Sequence, residues 1–217
     1  MTNVRLTQID GLVNLTWDAS SDPDVDGYRI YRNDIAGTMV KLIASNLKET
    51  SFKYAHTSGY VYEYTVVAVK NHQQGMYSDT VKTEASWLKV PGRIEAESAA
   101  QDDGAVVSRT SDDEGSYNLT GAGGISDKAK LDYQLDVAQS GEYLLTYRVA
   151  SPRDTKGFSV IVNGDKQVEQ KITKTGGYHE WQTQQGGKIY LKKGKNKLSL
   201  NSLDNNWKLN WLALKQD

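Results

Sequence analysis

Residues 130–150 read KLDYQLDVAQSGEYLLTYRVA, and this stretch decides the fold class. Leu131, Tyr133, Leu135 and Val137 occupy every second position of its first half, and Tyr143, Leu145, Tyr147 and Val149 do the same in its second. A period of two belongs to a strand with one face on a core; a helix needs apolar residues three and four apart. The same rhythm continues in both directions. Downstream, Phe158, Val160 and Val162 alternate in GFSVIVNG, where Asn163-Gly164 is a strong hairpin signal. Leu198, Leu200, Leu209, Trp211 and Ala213 carry it to the C-terminus. Upstream, Val13, Leu15 and Trp17 alternate in LVNLTW, Tyr28 and Ile30 in GYRIYR, and Tyr62, Tyr64, Val66 and Ala68 in YEYTVVAV. Turn-rich stretches such as SSDPDVDG, HTSG and NHQQG bound these runs. No amphipathic helical pattern competes. The reading is all-β, with two β-sandwich domains: a small immunoglobulin-like one over residues 1–88 and a larger jelly-roll one over residues 92–217. Pro91 and Gly92, in WLKVPGRIEAES, mark the join, because proline cannot donate to a strand ladder.

Composition narrows the function classes. The 217 residues hold 26 Lys and Arg against 27 Asp and Glu, so the broad cationic footprint of a nucleic-acid binder is missing, as is a polybasic membrane anchor. No apolar run approaches the roughly 18 residues of a membrane span. The absence of Cys excludes disulfides, thiol catalysis and Cys-based zinc sites. His56, His72 and His179 are spread along the chain and form no metal cluster or Ser-His-Asp unit. GAGG in TGAGGIS lacks the lysine and the strand–loop–helix setting of a phosphate loop. The opening MTNVRLTQID is not a signal peptide and reads as a cut from a longer chain.

Trp17 in NLTW, Tyr28 in DGYRIYR and Tyr62 ahead of YTVVAV make the first half resemble a fibronectin type III domain. The resemblance implies a buried Trp between sheets, a corner tyrosine at Tyr62, and a role as spacer or interaction surface. The second half resembles a family 6 carbohydrate-binding module. The matching pieces, in order, are RIEAES, SGEYLLTYRVAS, TGGYHEWQT, KIYLKKGKNKLSL and WKLNWLALK. Family 35 modules, which bind uronates, share its outline. The resemblance implies a sandwich that binds polysaccharide without cleaving it and that travels with a secreted bacterial glycoside hydrolase on the same chain.

A sugar ring has apolar C–H faces and a polar rim, so a protein holds it with aromatic rings on the faces and amides or charges at the rim. Loop aromatics outside the alternating core positions are therefore the signal. Tyr117 in DDEGSYNLTGAGG and Tyr178 in TGGYHEW qualify, and the resemblance implies that two such rings sandwich a sugar. Packing of both rings onto their own loops is the alternative. Trp181, opening a strand, is expected in the core, and so is Trp211. Trp207 is divided between core edge and ligand platform. Asn118, Asn205 and Asn206 supply amides nearby. At Lys208 the resembled family carries an asparagine that bonds sugar hydroxyls; a lysine there can instead meet a carboxylate or sulfate on an acidic sugar, or simply be solvated. Glu95 and Glu97, two apart on an expected strand, would repel unless a cation joins them. The resemblance implies a structural calcium there, with Asp217 as a further ligand.

Non-catalytic polysaccharide binding is thus the leading expectation, with the polysaccharide and a covalently linked catalytic module as partners and no nucleic acid or membrane. A small glycosidase built on Asp112, Asp113 and Glu114 is a second reading, weakened because consecutive carboxylates do not make an opposed acid–base pair. A protein-interaction role for the first domain, through loops such as NDIAGT, is a third.

Overall fold

The structure is a computed structural model describing residues 3–9, 12–33, 40–55, 61–84, 86–99 and 101–217. His56 and residues 34–38 of the NDIAGT loop lie outside them. The chain divides into two compact units, Met1–Glu84 and Ala85–Asp217. Both are all-β, and among the described residues no helix is long and apolar enough to cross a membrane.

The first unit holds β1 (Arg5–Ile9), β2 (Leu12–Thr16), β3 (Gly27–Asn33), β4 (Val40–Leu47), β5 (Ser51–Ala55), β6 (Glu63–Lys70), β7 (Gln73–Tyr77) and β8 (Val81–Lys82). One sheet runs β1-β2-β5 and the other β4-β3-β6-β7, with β8 also on β6. The alternating residues of β2, β3 and β6 meet between them: Val13, Leu15, Trp17, Tyr28, Ile30, Tyr62, Tyr64 and Val66 are all buried. Trp17 and Tyr28 meet edge to face with centroids 5.4 Å apart, the arrangement that ring quadrupoles favour. The Tyr28 hydroxyl accepts a hydrogen bond from the Ser20 backbone N–H at 2.9 Å. Tyr62, the expected corner residue, lies under the Arg32 guanidinium, 4.1 Å from its ring centroid. Burial pushes the Tyr64 hydroxyl up to about 12.

The second unit holds β9 (Leu88–Val90), β10 (Gly92–Glu95), a 3-10 turn (Ala96–Ser98), β11 (Gln101–Asp103), β12 (Val106–Arg109), β13 (Tyr117–Thr120), β14 (Lys130–Val137), β15 (Gly141–Ala150), β16 (Thr155–Val162), β17 (Asp165–Ile172), β18 (Trp181–Leu191), β19 (Gly194–Ser202) and β20 (Lys208–Gln216). Residues 88–90, next to the join read at Pro91 and Gly92, form a strand of this unit, pairing in parallel with β14. Two sheets face each other: β12-β13-β20-β15-β18 with β10 on β20, and β11-β14-β19-β16-β17 with β9 on β14. Between them lies a core that includes Leu131, Tyr133, Tyr143, Tyr147, Phe158, Leu198, Leu209 and Leu212. Asn163 and Gly164 take φ of 53° and 96° in the turn joining β16 to β17, the positive values that a tight hairpin requires.

One irregularity matters for the site. Arg148 pairs with Trp211 and Val149 with Leu209, so Asn210 is an extra residue bulged out of β20. A bulge shifts the alternation by one. Leu209 faces the core as expected, but beyond the bulge it is Leu212 and Leu214 that point inward. Trp211 is buried against the other face of the sheet, under the Arg93 guanidinium at 4.9 Å.

Candidate functional site

The face of the β12-β13-β20-β15-β18 sheet turned away from the core carries the concentration of ring, amide and charge. Facing residues on neighbouring strands share a side, and Ala150 stands opposite Lys208 on β20 and opposite Trp181 on β18. Val149, the next residue back, is in the core, so this row faces outward. Two strand spacings separate Lys208 from Trp181, roughly 10 Å between backbones. Ala150, whose side chain is a single methyl, stands between them in this row and is fully buried beneath its neighbours.

Tyr178 approaches this row from the connection between β17 and β18. Its hydroxyl donates to the Gly123 carbonyl at 2.9 Å and lies 2.8 Å from the Asn206 carboxamide. With its amide turned, the Asn206 nitrogen meets the Gly123 carbonyl and the Tyr178 hydroxyl and its oxygen faces the Arg153 guanidinium, 3.0 Å away. The ring is therefore held at its tip while remaining half-buried, and the Lys208 ammonium lies 5.6 Å from its centroid. Lys208 is itself half-buried, and burial pulls its ammonium below the ordinary lysine value. Gly124 makes the loop beneath possible: at φ +98° it brings its backbone so close to residues 206 and 207 that a Cβ would lie 2.6 Å from the Trp207 nitrogen. A cavity of about 560 Å³ borders this loop, lined by residues that include Gly121, Gly123, Gly124, Asn205 and Asn206.

Trp181 corrects the sequence reading. It is half-buried on the outward face, its indole N–H donating to the Ser111 hydroxyl at 3.1 Å, and Ser111 in turn lies 3.0 Å from His179 Nδ1. Trp207 corrects it in the opposite sense. It is 1% exposed, stacked on Phe158 with centroids 5.4 Å apart, and its N–H reaches Ser202 Oγ and the Asp204 carbonyl. It belongs to the core and offers no face to a ligand. Tyr117 sits on β13, half-buried, with the Arg109 guanidinium 5.7 Å from its ring centroid. Asn118, beside it, is 2% exposed, and its Nδ2 finds no hydrogen-bond partner among the described residues.

The acidic run is committed elsewhere. Arg148 grips Asp112 through Nε and Nη2, both at 2.7 Å, and Asn210 donates to the same carboxylate at 2.6 Å. Burial works to raise the Asp112 carboxyl, but the bonds from Arg148 and Asn210 and the guanidinium charge outweigh it, so the group titrates below its usual range. Glu114 approaches Arg93 at 3.7 Å and Arg148 at 3.5 Å. These two carboxylates face guanidiniums, so the opposed pair that glycoside hydrolysis requires does not form here.

The three carboxylates named for calcium are not gathered in one place by their side chains. β10 ends at Glu95 and the 3-10 turn begins at Ala96, so the alternation that would put Glu95 and Glu97 on one face is broken. Glu95 pairs with Arg93 at 2.8 Å, whereas Glu97 is buried within the turn. Glu95 stands opposite Trp211, and Asp217 lies six residues on, just past the end of β20 and roughly 20 Å away at strand rise, paired with Lys188. Among the described residues no group of three or more His, Cys, Asp or Glu side chains is placed to hold a metal ion.

Comparison with known proteins agrees with this architecture. Among solved structures, the C-terminal CBM6 of LamC, a marine laminarinase from Zobellia galactanivorans, is 27% identical with a TM-score of 0.52, covering 58% of this chain and 98% of that one. The module CBM6cm-2 from Cellvibrio mixtus lichenase 5A, solved in complex with cellotriose, is 27% identical with a TM-score of 0.51, covering 59% and 98%. An amylopullulanase from Thermoanaerobacterium thermosulfurigenes is 36% identical over 83 residues, which are 37% of this chain and 4% of that enzyme, so the chain spans only a small part of this curated relative. The model of the family described as carbohydrate binding module (family 6) matches residues 95–216. With more than half of its length accounted for in this way, the chain belongs to carbohydrate-binding module family 6.

Proposed function

We propose that the second unit binds a polysaccharide in the slot between Tyr178, Trp181 and Lys208, and that it does so on behalf of a glycoside hydrolase carried on the same exported polypeptide. The observation that carries the reading is the state of Tyr178: its hydroxyl is tied to Gly123 and Asn206 while its ring stays partly open beside Lys208. A ring fixed at its tip presents its face with little ordering cost on binding. Trp181 offers a second ring from the neighbouring strand, and Asn206, Ser111 and Lys208 place polar groups at the edge, the combination that a pyranose needs.

The cellotriose-bound module and the laminarinase module favour glucans as the first ligands to examine. The first unit, with its Trp17–Tyr28 contact and its Tyr28 hydroxyl bonded back to the chain, serves as a fibronectin type III spacer. Affinity electrophoresis in gels containing soluble polysaccharides tests the reading. Wild type is retarded in at least one gel and Tyr178→Ala runs free in it. Equal retardation of the two proteins removes this site.

A further inference from the structure

We propose that the slot selects a sugar bearing an anionic group, a uronate carboxylate or a sulfate ester, with the Lys208 ammonium as its counter-charge. The proposal rests on the binding slot described above and names the ligand class that it accepts.

Charge accounting around the slot carries the inference. Three guanidiniums of this unit are already neutralised: Arg148 by Asp112, Arg93 by Glu95, and Arg153 by Asp204 at 2.9 Å. Among the described residues no carboxylate pairs with Lys208. Its one close electrostatic contact is the face of Tyr178, and the residues around it in the slot, Ala150, Tyr178, Trp181 and Asn206, are uncharged. A partly desolvated ammonium held over a ring recovers only part of its lost hydration. A ligand anion completes the pair in a partly dry place, where a charge-assisted hydrogen bond is strong. A neutral hydroxyl meets the same lysine with a weaker bond. The nearby Asp112 does not oppose an arriving anion, because Arg148 and Asn210 engage it on both oxygens. Lysine suits the task as a mobile point charge able to meet either anion, whereas a guanidinium fork demands one planar geometry.

Isothermal titration of the full chain with matched pairs of oligosaccharides tests this: uronides against their methyl esters, and sulfated galacto-oligosaccharides against their desulfated counterparts. The expected result is a preference of roughly ten- to a hundredfold for one anionic member over its neutral twin, the range of a single hydrogen bond to a charged group. The pair showing that preference identifies carboxylate or sulfate. Lys208→Gln abolishes the preference, bringing the affinity for the anionic member down to that of its neutral twin, and leaves the melting temperature unchanged. Equal affinity within both pairs, or a preference that survives Lys208→Gln, overturns the inference while leaving glycan binding intact. Failure of every glycan to bind, including those of the affinity gels, overturns the binding slot together with it.

Discussion

Arg148 and Asp112 meet as a two-point pair, Nε to one carboxylate oxygen and Nη2 to the other, each at 2.7 Å. The pair fastens the loop between β12 and β13 to the outward face of the sheet, and both side chains are largely buried. Asp112→Ala leaves a guanidinium without its partner in that place. Removing one member of a buried pair costs about 3 kcal/mol or more. Urea unfolding of the second unit reads this as a lowered midpoint; a loss below about 0.5 kcal/mol is what a surface change gives, and it rejects the pair as a fastening.

Acid is the second probe of the same chemistry. Burial tends to raise the Asp132 carboxyl, but hydrogen bonds from Lys197 and Ser199, together with the charges of Lys197 and Lys130, hold it low, as Arg148 and Asn210 do for Asp112. A carboxylate whose folded value lies below its unfolded value stabilises the protein above the ordinary carboxylate range, and that contribution is lost as pH falls through the folded value. Stability is therefore flat with respect to these two groups near neutrality and declines below about pH 4. Asp112→Asn shows a shallower decline than wild type in denaturant midpoints measured from pH 6 to pH 2. Identical slopes contradict the assignment.

Trp207 and Trp181 separate folding from binding. Trp207→Ala opens a cavity beside Phe158 and costs about 3–5 kcal/mol, seen as a large fall in melting temperature. Trp181→Ala, at a half-buried surface position, leaves most of the stability and removes ligand retention. A pattern in which Trp181→Ala unfolds the unit and Trp207→Ala only weakens binding reverses both placements.

Trp181 also supplies a signal. Of the five tryptophans, Trp17, Trp207 and Trp211 are buried and Trp87 lies against Lys195 of the other sheet, so a ligand entering the slot changes the emission of Trp181 chiefly. Trp181→Phe abolishes the ligand-induced change in fluorescence. Persistence of that change in the variant places the ligand elsewhere.

Gly124→Ala strains a backbone at φ +98° and forces apart two segments that now touch. The expected cost is about 1–3 kcal/mol, with weaker glycan binding because Gly123 and Asn206 no longer hold the Tyr178 hydroxyl together. Wild-type affinity in this variant shows that the anchor is dispensable.

The strands were legible because side-chain alternation is local: residues 131–137 and 143–149 take the expected period, and Asn163-Gly164 turns where it should. The placement of Tyr178 and Lys208 was legible too, one between two strands and the other at the start of one. It was not legible at the tryptophans. Trp181 opens an edge strand whose row faces outward, and register across strands decides that, not its own neighbours. Trp211 changes side because Asn210 bulges, and the bulge depends on Asp112 and the Glu114 carbonyl, both about a hundred residues earlier in the chain. Glu95 and Glu97 leave the expected alternation for a local reason instead, since the strand gives way to a tight turn between them.

Trp207 and Leu209 drive into the interior on either side of Lys208, which alone of the three reaches the slot. That position is a socket whose occupant can be exchanged without loosening what holds it. If the ammonium reads a sugar's charge as proposed, exchanging that one side chain changes the glycans accepted while the interior on either side of it stays packed as before.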